Sequence, residues 1–138
     1  MRYNLEPVEL PGEMRYAVVM AVEMDETGIA TSPGCPASAA TGLGYSRMAF
    51  VASTLAEFIR NLGYSAVPAG NDVGLSVPLA IDAGLGELGR HGMLITPEYG
   101  PRVRLCKVYT DLPLDVDRPV EFGVREFCKG CRLCAEAC

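Results

Sequence analysis

The spacing of apolar residues changes along the first half of the chain. Residues 16–23 form one continuous apolar run, which is typical of a buried β-strand. From Tyr45 onward, apolar residues recur at three- and four-residue steps, which predicts an amphipathic helix ending at Gly63 as a left-handed cap. The apolar positions are Met48, Ala52, Leu55, Ile59 and Leu62. Residues 38–44 contain two glycines, which leaves either a frayed helical extension or a turn there.

The rest of the chain alternates short apolar runs with segments rich in Pro and Gly. These patterns predict a loop over 25–36, strands over 64–67, 93–96 and 103–110, a short helix over 76–83 and a linker over 111–122. The resulting element order, β-α-β-α-β-β, predicts a compact α/β or α+β domain over residues 1–122. A cysteine-rich segment follows over residues 123–138.

Composition and charge narrow the class of protein. The chain has 138 residues, of which 49% are hydrophobic and 21% charged, a mixture that excludes collagen, coiled coils and disordered chains. Seventeen acidic against twelve basic residues give a net charge of −5, so nucleic acid is not an expected partner. No apolar run reaches the roughly 18 residues that a membrane span needs, and residues 1–10 lack the apolar core of a secretory signal.

Four cysteines close the sequence at the spacing C-x2-C-x2-C-x3-C, that of bacterial ferredoxin cluster loops. They are Cys128, Cys131, Cys134 and Cys138. Zinc sites usually separate two C-x2-C pairs by a long spacer, so the spacing favours an iron–sulfur cluster over zinc. In two-cluster ferredoxins the fourth cysteine ligates the other cluster. We therefore expect a truncated chain whose second motif is missing, with a single local four-cysteine site as the alternative.

Residues 84–89 match the G-x-G-x-x-G pattern of dinucleotide-binding proteins, but the context differs. Such a fingerprint needs a preceding strand and a helix that begins within it, whereas Gly92 and Pro97 predict a turn leading into a strand. We expect these glycines to allow close approach of a large flat ligand or of another strand.

Three polar side chains stand out less clearly. Tyr45 begins the predicted helix, Asn71 lies in a loop, and Arg104 lies within an apolar strand. Periodicity alone leaves packing or a surface ion pair as sufficient explanations for them.

Several stretches together change this interpretation. The chain resembles the reductive dehalogenases of organohalide-respiring bacteria in four stretches: residues 41–47, 83–90, 94–107 and the cysteine loop. The resemblance runs almost continuously from Tyr16 to the last cysteine. It implies an α/β (α+β) fold: a nitroreductase-like corrinoid-binding core over 1–122, followed by the start of a ferredoxin-like cluster segment over 123–138. The implied cofactors are base-off cobalamin and two [4Fe–4S] clusters in the intact protein. The implied reaction replaces a carbon–halogen bond by carbon–hydrogen, with two electrons and one proton.

The resemblance also assigns roles to particular residues. Tyr45 would donate the proton, Arg104 would be the cation beside it, and Asn71 would frame the halide end of the pocket. An arginine side chain suits this role because it stays charged at any working pH and stabilises a neighbouring phenolate. Thr41, Gly44 and Ser46 would contact the corrinoid.

Partners and location follow from the same resemblance. It implies a small halogenated organic substrate, an electron donor, a small membrane anchor protein and export to the outer face of the cytoplasmic membrane, although the family's twin-arginine signal is absent from this sequence. Two alternatives remain. One is a cobalamin- and cluster-dependent enzyme of the epoxyqueuosine reductase type, which modifies tRNA, and the other is a non-catalytic electron carrier or corrinoid-binding module.

Overall fold

The computed structural model describes residues 10–12 and 14–137, in which helices pack on both faces of a small central sheet. In chain order the elements are β1 (Tyr16–Glu23), α1 (Glu26–Ala30), α2 (Cys35–Asn61), β2 (Ala66–Ala69), α3 (Ser76–Asp82), β3 (Glu87–Leu88), β4 (Leu94–Ile95), β5 (Val103–Thr110), α4 (Val124–Cys131) and α5 (Leu133–Glu136). The mixed fold agrees with the predicted class.

The main sheet has the strand order β1-β5-β2, with β5 antiparallel to both neighbours. The predictions for β1 and β5 are confirmed at both ends of each strand. Strand β2 begins two residues later than the prediction of 64–67 and includes Pro68. A proline is tolerated there because β2 lies at the sheet edge, where its missing N–H does not leave an acceptor on a neighbouring strand without a donor.

Helix α2 begins well before the predicted start at Tyr45. It runs from Cys35 as one helix of 27 residues, so residues 38–44 form the helical extension that was one of the two alternatives, and the turn is wrong. Pro36 lies in the first turn, where a proline favours helix initiation. The predicted end is confirmed, because Gly63 takes a φ of 93° just beyond the helix.

The segment 25–36 was expected to be a loop and instead contains α1 and the beginning of α2. Asp25 caps α1, since its carboxylate accepts hydrogen bonds from the backbone N–H of Gly28 at 2.6 Å and the hydroxyl of Thr27 at 2.7 Å. Aspartate at this position satisfies an N–H that the helix cannot pair internally. The prediction of α3 over 76–83 is confirmed to within one residue.

Alternating side chains of β5 divide the core into two layers. Cys106 and Val108 pack with the buried face of α2 in one cluster. Leu105 packs with Ala80 of α3 and Leu94 of β4 in the other. Because successive strand residues point to opposite faces, β5 contributes to both layers.

The core contribution of α2 can be measured at Ile59, whose side chain is 2% exposed between the helix and the sheet. Ile59→Ala is expected to lower the free energy of unfolding by about 2–5 kcal/mol, because it leaves a cavity as well as losing apolar burial. The neighbouring Phe58, which is 59% exposed, serves as the control. Phe58→Ala should change the free energy by no more than about 0.5 kcal/mol in the same urea titration. Equal losses for both variants would contradict the burial of Ile59.

The glycine-rich segment 84–89 follows helix α3 and contains β3, so it has neither the preceding strand nor the helix that a dinucleotide-binding fingerprint requires. A Cβ on Gly86 would collide with the backbone oxygen of Ile95 on β4. At Gly86, the predicted close approach is therefore to another strand.

None of the helices within residues 10–12 and 14–137 is both long enough and apolar enough to cross a bilayer. The division into 1–122 and 123–138 stays a prediction.

Candidate active site

Tyr45 of α2 and Arg104 of β5 are in direct contact. Nη1 of Arg104 donates a hydrogen bond to the Tyr45 hydroxyl at 3.2 Å, and the guanidinium carbon lies 4.4 Å from the centre of the tyrosine ring. Tyr45 is 40% exposed, so among the residues that the structure describes its side chain is accessible to a ligand. The structure therefore brings together the two residues predicted as proton donor and cation, which are separated by 59 positions.

A glycine on α2 allows this contact. Gly44 is buried, and a Cβ there would lie 3.0 Å from Cγ of Met24 and 3.2 Å from Cγ of Arg104. The absence of a side chain lets the aliphatic stem of Arg104 pass close to the helix. Within the described residues, Nε of Arg104 is buried and has no hydrogen-bond partner. The guanidinium is thus held mainly by packing and by its contact with Tyr45.

Asn71 lies in the exposed loop between β2 and α3. It lines a cavity of about 300 Å³ together with Met48 of α2 and Cys106 of β5. Met48 is one helical turn beyond Tyr45, and Cys106 is on the same face of β5 as Arg104. Asn71 therefore borders a space next to the Tyr45–Arg104 pair, and no hydrogen bond joins it to either residue among those described.

The other three predicted site residues share the N-terminal half of α2. Thr41 is half-buried and one turn before Tyr45, on the same side of the helix. Gly44 faces inward against Met24. The exposed Ser46 donates its hydroxyl to the backbone oxygen of Gly42 at 3.1 Å.

The cysteine segment forms two short helices, α4 and α5. Cys128 and Cys131 lie on one side of α4, and Arg132, with a φ of 53°, starts the turn to Cys134 in α5. All three thiols are half-buried and free. Within residues 10–12 and 14–137 no three such side chains are close enough to hold a metal ion, and Cys138 lies outside the described residues. The assignment of the four cysteines as ligands stays a prediction.

Two side chains from residues 84–90, both missed by the sequence analysis, tie this segment to the core. The Glu87 carboxylate accepts hydrogen bonds from the backbone N–H of Phe122 at 2.8 Å and of Val124 at 3.0 Å. Nε of Arg90 donates to the backbone oxygen of Cys128 at 3.1 Å. Glu87 of β3 therefore holds the start of α4, and Arg90, just beyond β3, contacts the middle of the same helix.

The Glu87 contact predicts a pH dependence. Hydrogen bonds from the backbone N–H groups of Val124 and Phe122 lower the pKa of the Glu87 carboxyl. A carboxyl with a lowered folded-state pKa stabilises the fold above its unfolded pKa, and this contribution disappears as the pH falls through the folded value. The amide NMR shifts of Phe122 and Val124 should therefore titrate below the ordinary glutamate range. The same titration should be missing in Glu87→Gln, and its persistence there would assign it to another group.

The family follows from comparison with known sequences. The model of the reductive dehalogenase subunit matches residues 6–114, and the chain belongs to this family. It is 57% identical over 121 residues to the tetrachloroethene reductive dehalogenase of Dehalobacter restrictus, covering 88% of this chain and 22% of that protein. It is 45% identical over 129 residues to the tetrachloroethene reductive dehalogenase of Sulfurospirillum multivorans, covering 94% and 26%. The chain thus spans about a quarter or less of these relatives.

Solved structures agree with this assignment. A reductive dehalogenase whose structure suggests a mechanism for B12-dependent dehalogenation matches with a TM-score of 0.81 and 36% identity, over 88% of this chain and 18% of that one. The epoxyqueuosine reductase of Streptococcus thermophilus matches with a TM-score of 0.50 and 22% identity, over 86% and 27%. The second similarity shows a shared fold alone.

Proposed function

We propose that this protein catalyses reductive dehalogenation of a small organohalide with cobalamin as cofactor. In the reaction R–X + 2e⁻ + H⁺ → R–H + X⁻, a carbon–halogen bond breaks and a carbon–hydrogen bond forms. Membership of the reductive dehalogenase family supports the reaction class. The observation that carries the proposal within this chain is the contact between the Tyr45 hydroxyl and the Arg104 guanidinium.

We take the exposed side of α2 as the surface for a large planar cofactor. Tyr45 is accessible there, and Thr41 lies one turn away on the same side. We infer that this part of the helix, from Thr41 to Ser46, would contact a base-off corrinoid. Gly44, which has no side chain, allows the helix to pack closely against Arg104 on its buried side. When bound, cobalamin supplies a reduced cobalt centre that reacts with carbon–halogen bonds, and the protein orients the substrate and excludes water.

Tyr45 would supply the proton, and Arg104 would stabilise the phenolate that remains. The Tyr45 hydroxyl holds it at the accessible end of the ring, where it can pass to the substrate carbon. The guanidinium keeps its proton at working pH, so it stays a cation beside the phenolate that Tyr45 becomes. After transfer the hydrogen bond joins two charged groups, so it is stronger than the bond from the same guanidinium to the neutral hydroxyl. Asn71, at the border of the adjacent cavity, would frame the halide end of the substrate.

Electrons would reach this site through iron–sulfur clusters. We infer from their spacing that Cys128, Cys131, Cys134 and Cys138 are cluster ligands. The thiolate donor set suits iron–sulfur binding, although the three described thiols are not gathered into one ligand group in this structure. An electron donor, a small membrane anchor protein and a location outside the cytoplasmic membrane complete the proposal, and the family resemblance supports them.

Tetrachloroethene is the first substrate to test, because the relatives above are named for it. The full-length protein, supplied anaerobically with cobalamin and a low-potential reductant, should release chloride stoichiometrically with the less chlorinated product. Electron paramagnetic resonance of added cob(II)alamin should show a base-off signal. A base-on signal without chloride release from tetrachloroethene or from a panel of aryl and alkyl halides would overturn the proposal. Copurification of tRNA would instead favour the epoxyqueuosine reductase alternative.

A further inference from the structure

Lys107 is the largest fully buried side chain among the described residues, with 0% exposure. It points from β5 towards the α3 side of the sheet, and its Nζ reaches three acceptors. It donates to the backbone oxygens of Gly70 at 2.6 Å and Gly74 at 3.2 Å, and to Oγ of Ser76 at 2.9 Å. These contacts use all three protons of the ammonium group.

This arrangement is costly for a residue that only fills the core. Within residues 10–12 and 14–137, no carboxylate forms an ion pair with Lys107. Burial lowers the pKa of its ammonium group, and the more distant Asp72 carboxylate opposes that shift. An apolar side chain of similar volume would avoid the desolvation of a charge. The three bonds therefore point to a role in ordering the segment that they hold.

That segment is the loop 70–75, which carries Asn71. Lys107 donates hydrogen bonds near both ends of this loop, because Gly70 directly follows β2 and Gly74 comes shortly before α3. Tyr109, two residues further along the same face of β5, donates its hydroxyl to the backbone oxygen of Val73 at 3.1 Å. Side chains of β5 thus hold the loop at three backbone oxygens, and Asn71 of the same loop lines the cavity.

We propose that Lys107 is a positioning residue for dehalogenation, which acts through the loop 70–75 to hold Asn71 at the substrate cavity. This inference rests on the proposed function, because it takes Asn71 to contact the substrate. Strand β5 then supports the site from both faces. Arg104 acts on the α2 side, and Lys107 acts on the α3 side through a loop that returns to the cavity.

The test is a double-mutant cycle between Lys107→Met and Asn71→Ala in the full protein with its cofactors. Lys107→Met should lower kcat/KM by about 10- to 100-fold, the scale expected when a group is misplaced by roughly 1 Å. In the Asn71→Ala background the same change should cost less than about threefold, because the group being positioned is already gone. An equal loss in both backgrounds would overturn the positioning role and leave the reaction class intact. A silent Asn71→Ala would remove Asn71 from the proposed function and Lys107 with it.

A second readout does not depend on activity. Hydrogen exchange of the amides in the loop 70–75 should accelerate in Lys107→Met. Thr110→Val is the matched control, because Thr110 is also buried in β5 and donates to the backbone oxygen of Ser65 at 2.7 Å, away from this loop. It should leave the loop exchange unchanged. Unchanged exchange in Lys107→Met would overturn the proposal whatever the enzyme assay shows.

Ser76→Ala keeps the test decisive if Lys107→Met does not fold. It removes one of the three acceptors and keeps the ammonium group in place. The expected loss in kcat/KM is about three- to tenfold, on the scale of one ordinary hydrogen bond, and it should again shrink in the Asn71→Ala background. A loss of the same size in both backgrounds would contradict the proposal.

Discussion

Replacing Tyr45 by phenylalanine is expected to reduce kcat by about 10²- to 10⁴-fold, the contribution of a positioned general acid. The substitution removes the hydroxyl that Arg104 contacts and keeps the aromatic ring against the guanidinium. Cobalamin binding should therefore persist, and the base-off signal of bound cob(II)alamin should match that of the unmodified protein. The measurement is chloride release under saturating substrate, with cofactor occupancy determined on the same samples.

Tyr64 provides the control, since it lies just beyond α2 and is 38% exposed, close to the exposure of Tyr45. Tyr64→Phe should retain turnover to within about twofold, as expected for a surface change away from the site. Normal turnover by Tyr45→Phe would exclude Tyr45 as the proton donor. Loss of both turnover and cobalamin would show that its hydroxyl serves binding instead.

Arg104→Met is expected to lower kcat by about 10²- to 10³-fold, the usual cost of removing one charge-stabilising donor from an active site. Methionine retains most of the aliphatic length that passes Gly44, and it loses the cation that contacts Tyr45. The kcat of Arg104→Lys should lie between that of the unmodified protein and that of Arg104→Met. Lysine keeps the charge but lacks the planar group that lies over the tyrosine ring. Steady-state kinetics across pH should show the loss throughout the working range.

Arg102, immediately before β5, offers a matched comparison. It pairs with Glu23 at 3.5 Å and Glu26 at 3.2 Å near the end of β1 and does not contact Tyr45. Arg102→Met should therefore change kcat by less than about threefold, since partly exposed ion pairs contribute little. Equal effects at positions 102 and 104 would mean that a general loss of positive charge, and not the contact with Tyr45, explains the result.

The parts of the fold predicted correctly are those that local sequence determines. β1 and β5 are apolar runs whose ends are marked by charge or proline, and the left-handed Gly63 marks the end of α2. The start of α2 could not be predicted, because intrinsic propensity penalises Gly44 as a helix residue. In the structure this glycine is required by Met24 and Arg104, which approach it from elsewhere in the chain.

The site depends even more than the fold on contacts between residues far apart in the sequence, which local patterns do not reveal. Periodicity left Tyr45 and Arg104 undecided, and only the family resemblance singled them out before the structure showed their contact. Lys107 was missed because a lysine in a strand is usually exposed, and its acceptors lie 31 to 37 residues away. Glu87 was missed for the same reason, since its partners are backbone groups 35 and 37 residues distant. A lysine alternating with apolar residues in β5 was the one available signal.

The central position of β5 restricts how this protein can change in evolution. Arg104 and Lys107 serve opposite faces of a strand that is paired on both sides. An insertion or deletion of one residue within Val103–Thr110 would exchange those faces for every residue beyond it, placing the ammonium against α2 and its apolar neighbours on the wrong side. Length variation among homologues should therefore be found in the connection 111–122, while β5 keeps its length as substrate preference diverges.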